Sequence, residues 1–339
     1  MKRAKTALIV LVLITGTGEW PGTAGWWSLY FTAPGGNVRS AKNPESGLVT
    51  MIGRAQDHVY GAFYEITSPR VVEALCNARR RGVDVRIVTE SDTFRKRGSP
   101  GGRFEAAGVE AVTDGGKGLM HNKFAVFDGS WVWTGSYNPT PNGSGKNDNN
   151  AILIQSPELA VIYTEEFMEM FRDGVFGNRK APGPFAELIG RYHVRIEETD
   201  INVYFSPEDN VERIILNRLR KAKSTIRFMA FSFTSGPIGE MLIRKHRDGV
   251  DVRGVFERRG GKGAHSAYMK MLLEGGPVKL DRNRHNMHHK VIIIDERRVI
   301  TGSYNFSRNA SRNNDENILI IDNGGIAAGY LAEFRRVYR

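Results

Sequence analysis

The chain has 339 residues, 40% of them hydrophobic and 25% charged, a composition typical of a folded globular protein and unlike that of a disordered, collagen-like or coiled-coil chain. Its single cysteine, Cys76, excludes an internal disulfide and a zinc site built from several cysteines. The 48 lysines and arginines against 37 aspartates and glutamates give a net charge of +11. This charge favours polyanionic partners such as nucleic acid or anionic lipid headgroups, although it also serves solubility alone.

The first 24 residues have the parts of a secretory signal peptide. Basic residues at positions 2, 3 and 5 precede an apolar run over 7–14, and the small residues Gly22 and Ala24 fit a cleavage site after Ala24. A membrane-spanning helix needs about 20 apolar residues, more than this run supplies. We therefore expect export to the periplasm, the cell envelope or the medium, with residues 1–24 removed. An uncleaved membrane anchor extended through Trp20 is the alternative.

The remainder of the chain is an internal repeat with an offset of 167 residues. Segment 82–86 reads Gly-Val-Asp-Val-Arg and recurs at 249–253, while segment 134–138 reads Thr-Gly-Ser-Tyr-Asn and recurs at 301–305. Glycines and prolines within 172–184 mark a break in regular structure. The sequence thus predicts a first repeat over 28–171, a linker over 172–201 and a second repeat over 202–339.

Each repeat has the pattern of a unit that mixes strands and helices. An apolar stretch, 59–66 or 226–233, precedes a helical pattern that ends at Gly82 or Gly249, and a β-branched run follows. Further short apolar runs precede terminal helical patterns near 157–171 and 325–338. The order of these elements predicts an α/β fold with a central sheet in each half.

A matched set of polar residues stands at the same spacing in both repeats. A histidine and a lysine two residues later are followed by an aspartate and then by a Gly-Ser-Tyr-Asn segment. Because alternate residues of a strand face the same side, the histidine and lysine of each motif point the same way. The residues are His121, Lys123, Asp128, Ser136 and Asn138 in the first repeat and His288, Lys290, Asp295, Ser303 and Asn305 in the second.

Two histidines suit the cleavage of a phosphodiester. One neutral imidazole attacks phosphorus while the other, protonated, gives its proton to the leaving oxygen, and an ordinary histidine pKa of about 6.5 permits both roles. The lysine ammonium groups and the asparagine amides would neutralise charge on the phosphate oxygens, a task that divalent metals perform in many other sites. The sequence therefore predicts a phosphodiester substrate, no metal and no cofactor.

These residues resemble the two H-x-K-x4-D motifs of the phospholipase D superfamily, and the similarity covers nearly the whole chain after residue 24. The second repeat, with Ala-Phe-Ser-Phe-Thr at 230–234, looks most like the compact bacterial endonucleases and the mitochondrial cardiolipin hydrolases, which are homodimers with one motif in each chain. The resemblance implies two tandem α/β/α sandwich repeats with mixed sheets, related by a pseudo-two-fold axis, and both His-Lys pairs in one interface cleft. It also implies a phosphohistidine intermediate, which water hydrolyses or an alcohol intercepts.

One position departs from the family pattern. The resemblance implies a carboxylate that orients a catalytic histidine, and Glu316 fits this role in the second repeat, but Asn149 stands at the equivalent position of the first. A carboxylate raises imidazole basicity and stabilises the imidazolium, whereas an amide orients without charge. Our hypothesis is that His121 is the nucleophile and His288 the general acid and base. The alternative is a decayed first site in which Asp148, or no residue, replaces the carboxylate.

Other polar and aromatic residues are weaker candidates. We expect Asp128 and Asp295 to have a structural role on the opposite strand face. The aromatic residues at 131, 133 and 137 either contact substrate at the cleft mouth or belong to the core. Three histidines have no counterpart at the repeat offset and are expected at the periphery, with the last two as candidate substrate contacts: His265, His285 and His289.

Glycine-rich and basic segments flank the motifs. Segments 115–118 and 260–263 are either phosphate cradles or flexible loops, and neither has the spacing of a known phosphate-binding loop. The flanking basic residues either line the cleft mouth or form a solvated face. They are Arg95, Lys96, Arg97, Arg103, Arg258, Arg259, Arg282 and Arg284.

The motifs, the basic charge and the compact repeats together favour an exported phosphodiesterase that acts on nucleic acid, and a monomer because both motifs lie in one chain. The first alternative is a phospholipase that releases headgroups from phospholipids or cardiolipin at a membrane surface, which export and the common chemistry of the superfamily favour. The second is a non-catalytic module that binds nucleic acid or anionic lipid. The intact histidines, lysines and asparagines of both motifs argue against the module, because a binding protein needs no proton donor. Asn149 is the one residue in its favour.

Overall fold

The structure is a computed structural model that describes residues 25–116, 118–180, 192–263 and 266–339. The predicted signal peptide, residues 1–24, lies outside the described residues. Within the described ranges, no helix is both long enough and apolar enough to cross a membrane. Export and anchoring therefore stay predictions from the sequence.

The first repeat forms a seven-stranded mixed sheet with the strand order β1-β7-β6-β5-β2-β3-β4. Neighbours among β2, β3 and β4 are parallel, and every other neighbouring pair is antiparallel. The strands are β1 (Trp27–Phe31), β2 (His58–Phe63), β3 (Asp84–Thr89), β4 (Glu110–Thr113), β5 (Lys123–Phe127), β6 (Trp131–Gly135) and β7 (Asn150–Gln155). The central strand, β5, begins at the lysine of the first motif.

The second sheet has eight strands in the order β12-β11-β10-β13-β14-β15-β9-β8. This order repeats that of the first sheet, with β8 added at one edge. The strands are β8 (His193–Ile196), β9 (Thr199–Ser206), β10 (Thr225–Ala230), β11 (Asp251–Phe256), β12 (Val278–Leu280), β13 (Lys290–Ile294), β14 (Arg298–Gly302) and β15 (Glu316–Asp322). The second motif therefore has the same place, at the start of a central strand. The predicted α/β fold with a mixed sheet in each half is confirmed.

Helices flank both sheets, and serine side chains begin the equivalent helices of the two repeats. The hydroxyl of Ser68 accepts the Val71 N–H at the start of α2, and that of Ser235 accepts the Ile238 N–H at the start of α8. The helices are α1 (Pro44–Arg54), α2 (Pro69–Arg80), α3 (Ser91–Phe94), α4 (Gly101–Ala107), α5 (Pro141–Gly145), α6 (Pro157–Phe171), α7 (Val211–Arg220), α8 (Gly236–Arg247), α9 (Arg258–Gly261), α10 (Ala267–Leu273), α11 (Arg308–Arg312) and α12 (Gly324–Val337).

A hydrophobic core shared by both repeats joins the two halves, and α6 and α12 contribute to it. Its aromatic contacts are paired across the interface. Tyr163 packs edge-on against Phe205 with ring centroids 5.4 Å apart, and Tyr330 packs edge-on against Phe31 at the same distance. Because the two tyrosines are equivalent in the repeat, as are the two phenylalanines, a pseudo-two-fold axis relates the contacts. Two further cores each lie within one repeat.

The second sheet begins earlier in the chain than the repeat pattern indicates. Strand β8 lies inside the linker predicted over 172–201, and β9 starts within it at Thr199. The two form an antiparallel hairpin whose β9 pairs with β15. The described part of the first sheet has no such hairpin, so comparison of the repeats carried no signal for it. The domain boundaries stay predictions.

Candidate active site

Each motif segment is hydrogen-bonded through its backbone to the other repeat. The His121 N–H donates to the Asp315 carbonyl oxygen at 3.0 Å, and the His288 N–H donates to the Asp148 carbonyl oxygen at 2.8 Å. Short parallel bridges continue this pairing on both sides of the pseudo-two-fold axis. Both histidines are buried. Docking of the two repeats therefore fixes the backbone of both motifs.

The side chain that orients each histidine also comes from the other repeat. Nδ1 of His121 lies 2.8 Å from Oε2 of Glu316, and Nδ1 of His288 lies 2.9 Å from Oδ1 of Asn149. The carbonyl oxygen of Ser136 lies 3.0 Å from the same Nδ1 of His288. These contacts leave both Nε2 atoms without a protein partner among the described residues. An imidazole that is held through Nδ1 in this way is directed to react through Nε2.

The lysine of each motif is held against its own histidine. Nζ of Lys123 donates to the His121 carbonyl oxygen at 2.6 Å, and Nζ of Lys290 donates to the His288 carbonyl oxygen at 2.9 Å. Both lysines are buried. Their remaining N–H groups need an acceptor, because a buried ammonium is costly without one. A phosphate oxygen meets that need with charge as well as a hydrogen bond.

Two aromatic residues that no motif marks pack on the site. The Tyr64 ring lies edge-on to His121 with centroids 4.9 Å apart, and the Phe231 ring lies edge-on to His288 at 4.5 Å. The Lys123 and Lys290 ammonium groups lie 5.0 and 4.8 Å from the centroids of the same two rings. Phe231 lies in segment 230–234, which carries part of the family resemblance, and the repeat offset relates Tyr64 to it, so these two signals in the sequence could have found both residues.

The predicted serines hold the residues that orient the histidines. The Ser136 hydroxyl donates to Oδ1 of Asn149 at 3.1 Å and accepts the Asn150 N–H at 3.1 Å. Ser303 accepts the Asn317 N–H at 3.0 Å and hydrogen-bonds to the Glu316 carboxyl group. Both serines are fully buried. They act through Asn149 and Glu316, so they are positioning residues.

The predicted asparagines Asn138 and Asn305 follow strands β6 and β14, which neighbour the two motif strands. Glycines Gly135 and Gly302 end these strands with φ of 151° and 147°. An added Cβ there would lie 2.4 or 2.2 Å from a backbone oxygen, so only glycine fits. The buried Oδ1 atoms of both asparagines lack a hydrogen-bond partner among the described residues. These oxygens are acceptors, so only the Nδ2 group of each side chain can donate to a phosphate oxygen.

Burial controls the protonation of the site. It lowers the pKa of His121 and of His288, and the neighbouring lysines lower both further. It lowers the pKa of Lys123 to about 7 and that of Lys290 well below its ordinary value. Burial also raises the pKa of Glu316 to about 8, against the opposing effect of Lys123. A bound phosphodiester anion would raise the pKa of the histidines and lysines again, because it supplies the opposite charge.

A buried lysine locks one side of the interface. Nζ of Lys180 hydrogen-bonds to Glu166 and lies 3.2 Å from Oδ1 of Asp315. It also lies 3.5 Å from Oε2 of Glu169 and 3.7 Å from Oε1 of Glu208. The three glutamates have the spacing of a cation site, and the Lys180 ammonium lies among them. Lys180 falls in the predicted linker, where nothing in the repeat pattern indicated a role.

An arginine has the equivalent position on the other side. Arg336 hydrogen-bonds to Asp148 and to Glu333, and Glu333 in turn lies 2.9 Å from Nε2 of His289. Nδ1 of His289 lies 2.9 Å from Nδ2 of Asn150. His289 is fully buried. Its predicted peripheral place and its candidacy as a substrate contact were therefore wrong, because the histidine is enclosed between the two repeats.

The motif aspartates lie in turns and not on strand faces. Asp128 and Asp295 each follow the last residue of a motif strand, with φ of 49° and 51°. The Asp128 carboxylate accepts the N–H groups of residues 56–58, and the Asp295 carboxylate accepts those of 223–225. The predicted location was wrong because the strands end one residue earlier. The contacts themselves join two backbone segments, as a structural residue does.

The structure decides between the two interpretations of the aromatic residues near the first motif. Trp131, Trp133 and Tyr137 are each at most 1% exposed and belong to the core inside the first repeat. They do not form an apolar cleft mouth. Cys76 belongs to the same core.

The flanking basic residues separate into two groups. Arg282 and Arg284 line a cavity at the repeat interface together with His285, and Arg259 donates to the Arg284 carbonyl oxygen at 3.1 Å. The residues at 95–97 and 103 are exposed, and no ion pair is found for them within the described ranges. Residues 117 and 265 lie outside the described residues.

Comparison with known proteins agrees with this geometry. A family model for the PLD-like domain of cardiolipin synthase matches residues 48–171 and 215–338. This chain belongs to the phospholipase D superfamily. The two matched segments confirm the internal repeat. Together with the phospholipase D and cardiolipin hydrolase relatives, the membership supports a phosphodiester-hydrolysing enzyme.

The individual relatives align with this chain over about the length of one repeat. A phospholipase D of Rickettsia felis is 30% identical over 155 residues, which are 45% of this chain and 78% of the relative. A mitochondrial cardiolipin hydrolase of Xenopus tropicalis is 32% identical over 128 residues, 38% of this chain and 61% of the relative. The crystal structure of phosphatidylserine synthase from Haemophilus influenzae superposes with a TM-score of 0.68 at 13% identity, over 91% of this chain and 86% of the other. That likeness shows a shared fold.

Proposed function

We propose that this phosphodiesterase cleaves nucleic acid through a phosphohistidine intermediate, without a metal ion. The observation that carries the mechanism is the crossed pairing of the histidines. Nδ1 of His121 faces Glu316, Nδ1 of His288 faces Asn149, and both Nε2 atoms remain available. Two imidazoles oriented in this way supply a nucleophile and a proton donor to one phosphodiester.

In the first step, Nε2 of neutral His121 attacks phosphorus. The bond from phosphorus to the leaving oxygen breaks, and that oxygen takes a proton from Nε2 of protonated His288. In the second step, His288 takes a proton from water, whose oxygen attacks phosphorus and releases His121. The proton given up in the first step is thereby restored to His288, so atoms and charge balance over the cycle.

The unequal partners favour this division of roles. Phosphorylation leaves a positive charge on the imidazole of His121, which lowers the pKa of the facing Glu316, and the resulting carboxylate stabilises that charge. Asn149 orients His288 without charge, so His288 gives up its proton more readily than a carboxylate-paired histidine would. The ammonium groups of Lys123 and Lys290 and the amides of the two motif asparagines stabilise the negative oxygens of the transition state.

Nucleic acid is the substrate that the charges support best. Lys146, Arg282 and Arg284 line a cavity at the repeat interface, and no ion pair is found for them among the described residues. Unpaired cations beside a phosphodiesterase site suit a partner with many phosphates. The net charge of +11 points the same way. The aromatic residues that would have favoured a lipid surface are in the core.

Phospholipid is the second candidate, and the names of the relatives favour it. The similar proteins include a phospholipase D and a mitochondrial cardiolipin hydrolase. The predicted signal peptide would bring the enzyme to the cell envelope, where it would meet membrane surfaces. We also propose a monomer, because both motifs lie within one chain. A binding module without activity is the third candidate and retains only Asn149 in its favour.

The deciding experiment measures cleavage by the purified protein in the presence of EDTA. Its substrates are single- and double-stranded DNA, RNA, and vesicles of phosphatidylcholine, phosphatidylglycerol or cardiolipin. His121→Ala and His288→Ala serve as contamination controls, since each removes one reacting group. We expect the wild type to cleave nucleic acid and each variant to cleave it about 100-fold or more slowly. Headgroup release without nucleic-acid cleavage would establish the phospholipase, and no turnover on any substrate would favour the binding module.

A further inference from the structure

A cavity of about 650 Å³ opens at the interface of the two repeats. The first repeat contributes Lys146 and Asp148 to its wall, and the second contributes the segment 281–285 and Arg336. Asn283 joins the two walls, because its Nδ2 donates to Oδ2 of Asp148 at 2.7 Å and to the Lys146 carbonyl oxygen at 3.0 Å. The cavity is thus a structured part of the interface.

The carboxylates of this wall are already satisfied. Asp148 accepts from Asn283 and pairs with Arg336. Asp281 accepts the N–H groups of Arg258 and Asn283 at 2.6 and 2.8 Å. Positive charge therefore predominates in the rest of the lining, whose remaining charged side chains are those of Lys146, Arg282 and Arg284. An anion is the ligand that such a lining favours.

The cavity is connected to the catalytic machinery through two adjacent residues. The carbonyl oxygen of Asp148 accepts the His288 N–H at 2.8 Å, and the side chain of Asn149 lies 2.9 Å from Nδ1 of His288. The Asp148 N–H donates at 2.9 Å to the carbonyl oxygen of Asn286, the residue after the wall segment 281–285, which ties that segment to the residues just before β7. A ligand in the cavity would therefore lie on the His288 side of the site.

The equivalent place on the His121 side is built differently. Gly118, the counterpart of His285, has φ of +83°, and a Cβ there would lie 2.0 Å from the Asn313 carbonyl oxygen. The two repeats are therefore in direct backbone contact at this point. Lys180 lies buried against Asp315, the counterpart of Asp148. Three of the four positions 115–118 are glycines, where 282–285 read Arg-Asn-Arg-His.

We propose that this cavity binds a second backbone phosphate of the substrate strand. The proposal rests on the proposed function, because it takes the ligand to be a polynucleotide. Since the Arg-Asn-Arg-His segment belongs to one repeat only, the strand is held on the His288 side of the scissile phosphate. The two halves of the cleft thereby bind the parts of the strand on either side of the scissile phosphate unequally.

The test compares R282A/R284A with a matched control, R220A/R244A, which removes two exposed arginines from the outer helices α7 and α8. Binding of a fluorescent single-stranded DNA is measured by anisotropy with H121A as the background, so that no cleavage occurs. Turnover of the same DNA and of bis(p-nitrophenyl) phosphate, which carries a single phosphate, is measured with His121 intact. Folding of each variant is verified by thermal unfolding.

We expect R282A/R284A to raise the Kd for DNA about tenfold or more. The slope of log Kd against log salt concentration should fall by about one for each phosphate that the variant no longer binds. Turnover of the small diester should be unchanged. Equal DNA affinity in R282A/R284A and the control would overturn the proposal, as would an equal loss on both substrates. DNA that binds but is not cleaved would refute the proposed nuclease alone, and the two variants would still decide the cavity. Absence of DNA binding by H121A would refute both.

Discussion

Glu316 and Asn149 stand at equivalent positions of the two repeats, and each contacts the histidine of the opposite repeat. The backbone geometry is the same on both sides, since each precedes a residue whose N–H bonds to a motif serine. The main chemical difference is one of charge, and His288 has in addition the contact of its Nδ1 with the Ser136 carbonyl oxygen. One amide in place of one carboxylate thus makes a chemically asymmetric site within a pseudo-symmetric fold.

Trapping the covalent intermediate tests the roles of the two histidines. H288A lacks the base that activates water, so a substrate with a good leaving group is expected to leave phosphate on His121 for longer than in the wild type. Digestion and mass spectrometry of the quenched protein would locate the phosphorylated residue. Phosphate on His288 in the wild type, with none on His121, would reverse the assignment.

Restoring the carboxylate tests the purpose of Asn149. In N149D a carboxylate would face Nδ1 of His288, and an adjacent opposite charge raises a histidine pKa by about one unit or more. The alkaline limb of the pH profile of kcat/KM should move upward accordingly. The variant also loses the donor that Asn149 offers to the Gly143 carbonyl oxygen, so we expect a lower unfolding temperature. An alkaline limb that does not move would show that His288 is not the acid.

Removing the buried carboxylate should raise stability and lower activity. Glu316 ionises with a pKa of about 8 in the folded protein, whereas in the unfolded chain it ionises near 4.5. Between these values the folded state holds the extra proton, so the wild type loses stability as the pH rises, by at most about 1.4 kcal/mol per pH unit. E316Q has no such loss. Its unfolding temperature should exceed that of the wild type by more at pH 8 than at pH 5, and an equal difference at both would contradict this.

Removing the buried lysine should weaken the interface. K180M leaves Glu166 and Asp315 without their cation, and an unpaired buried charge costs about 3–5 kcal/mol. The loss in unfolding free energy should be smaller at pH 5 than at pH 8. Burial raises the pKa of Glu166 well above its ordinary value and that of Asp315 to about 6, so both accept protons at the lower pH. Chemical denaturation at the two pH values would measure the difference, and a loss independent of pH would argue against the cluster.

The motif aspartate of the second repeat should contribute stability and not chemistry. Burial raises the pKa of Asp295, but the N–H groups of 223–225 outweigh burial and lower the pKa overall. Its contribution is therefore present above the unfolded pKa of about 3.9 and disappears as the pH falls through the folded value. D295N should lower the unfolding free energy at pH 7 by about 1–3 kcal/mol, by less at pH 3, and leave KM unchanged. A large loss of kcat in the folded variant would contradict the structural role.

The local parts of the fold and site could be predicted from the sequence. Spacing predicted a strand at each motif, and β5 and β13 begin at the motif lysines, so each histidine lies two residues before its strand. The offset of 167 residues related the two sheets. Helices α2 and α8 end at Arg80 and Arg247, two residues before the glycines at which the helical patterns were expected to end. Such features depend on a few consecutive residues, which is why pattern alone reaches them.

The contacts between repeats could not be predicted in the same way. Glu316 contacts a histidine 195 positions away, and Lys180 contacts Asp315 from a linker with no periodic pattern. Asp128 was expected on a strand face, because spacing does not show where a strand ends and its turn begins. The edge hairpin β8–β9 lacks an equivalent in the described first sheet, so repeat comparison contained no information about it.

The crossed pairing also determines when activity can first appear. A first repeat on its own would have His121 without Glu316, and a second repeat on its own would have His288 without Asn149. Each Nδ1 would then be free, and neither imidazole would be fixed in orientation. During synthesis, the site can assemble only after β15 has joined the second sheet and the two repeats have docked. An enzyme built in this way is expected to be inactive as an incomplete nascent chain and as a monomeric proteolytic half.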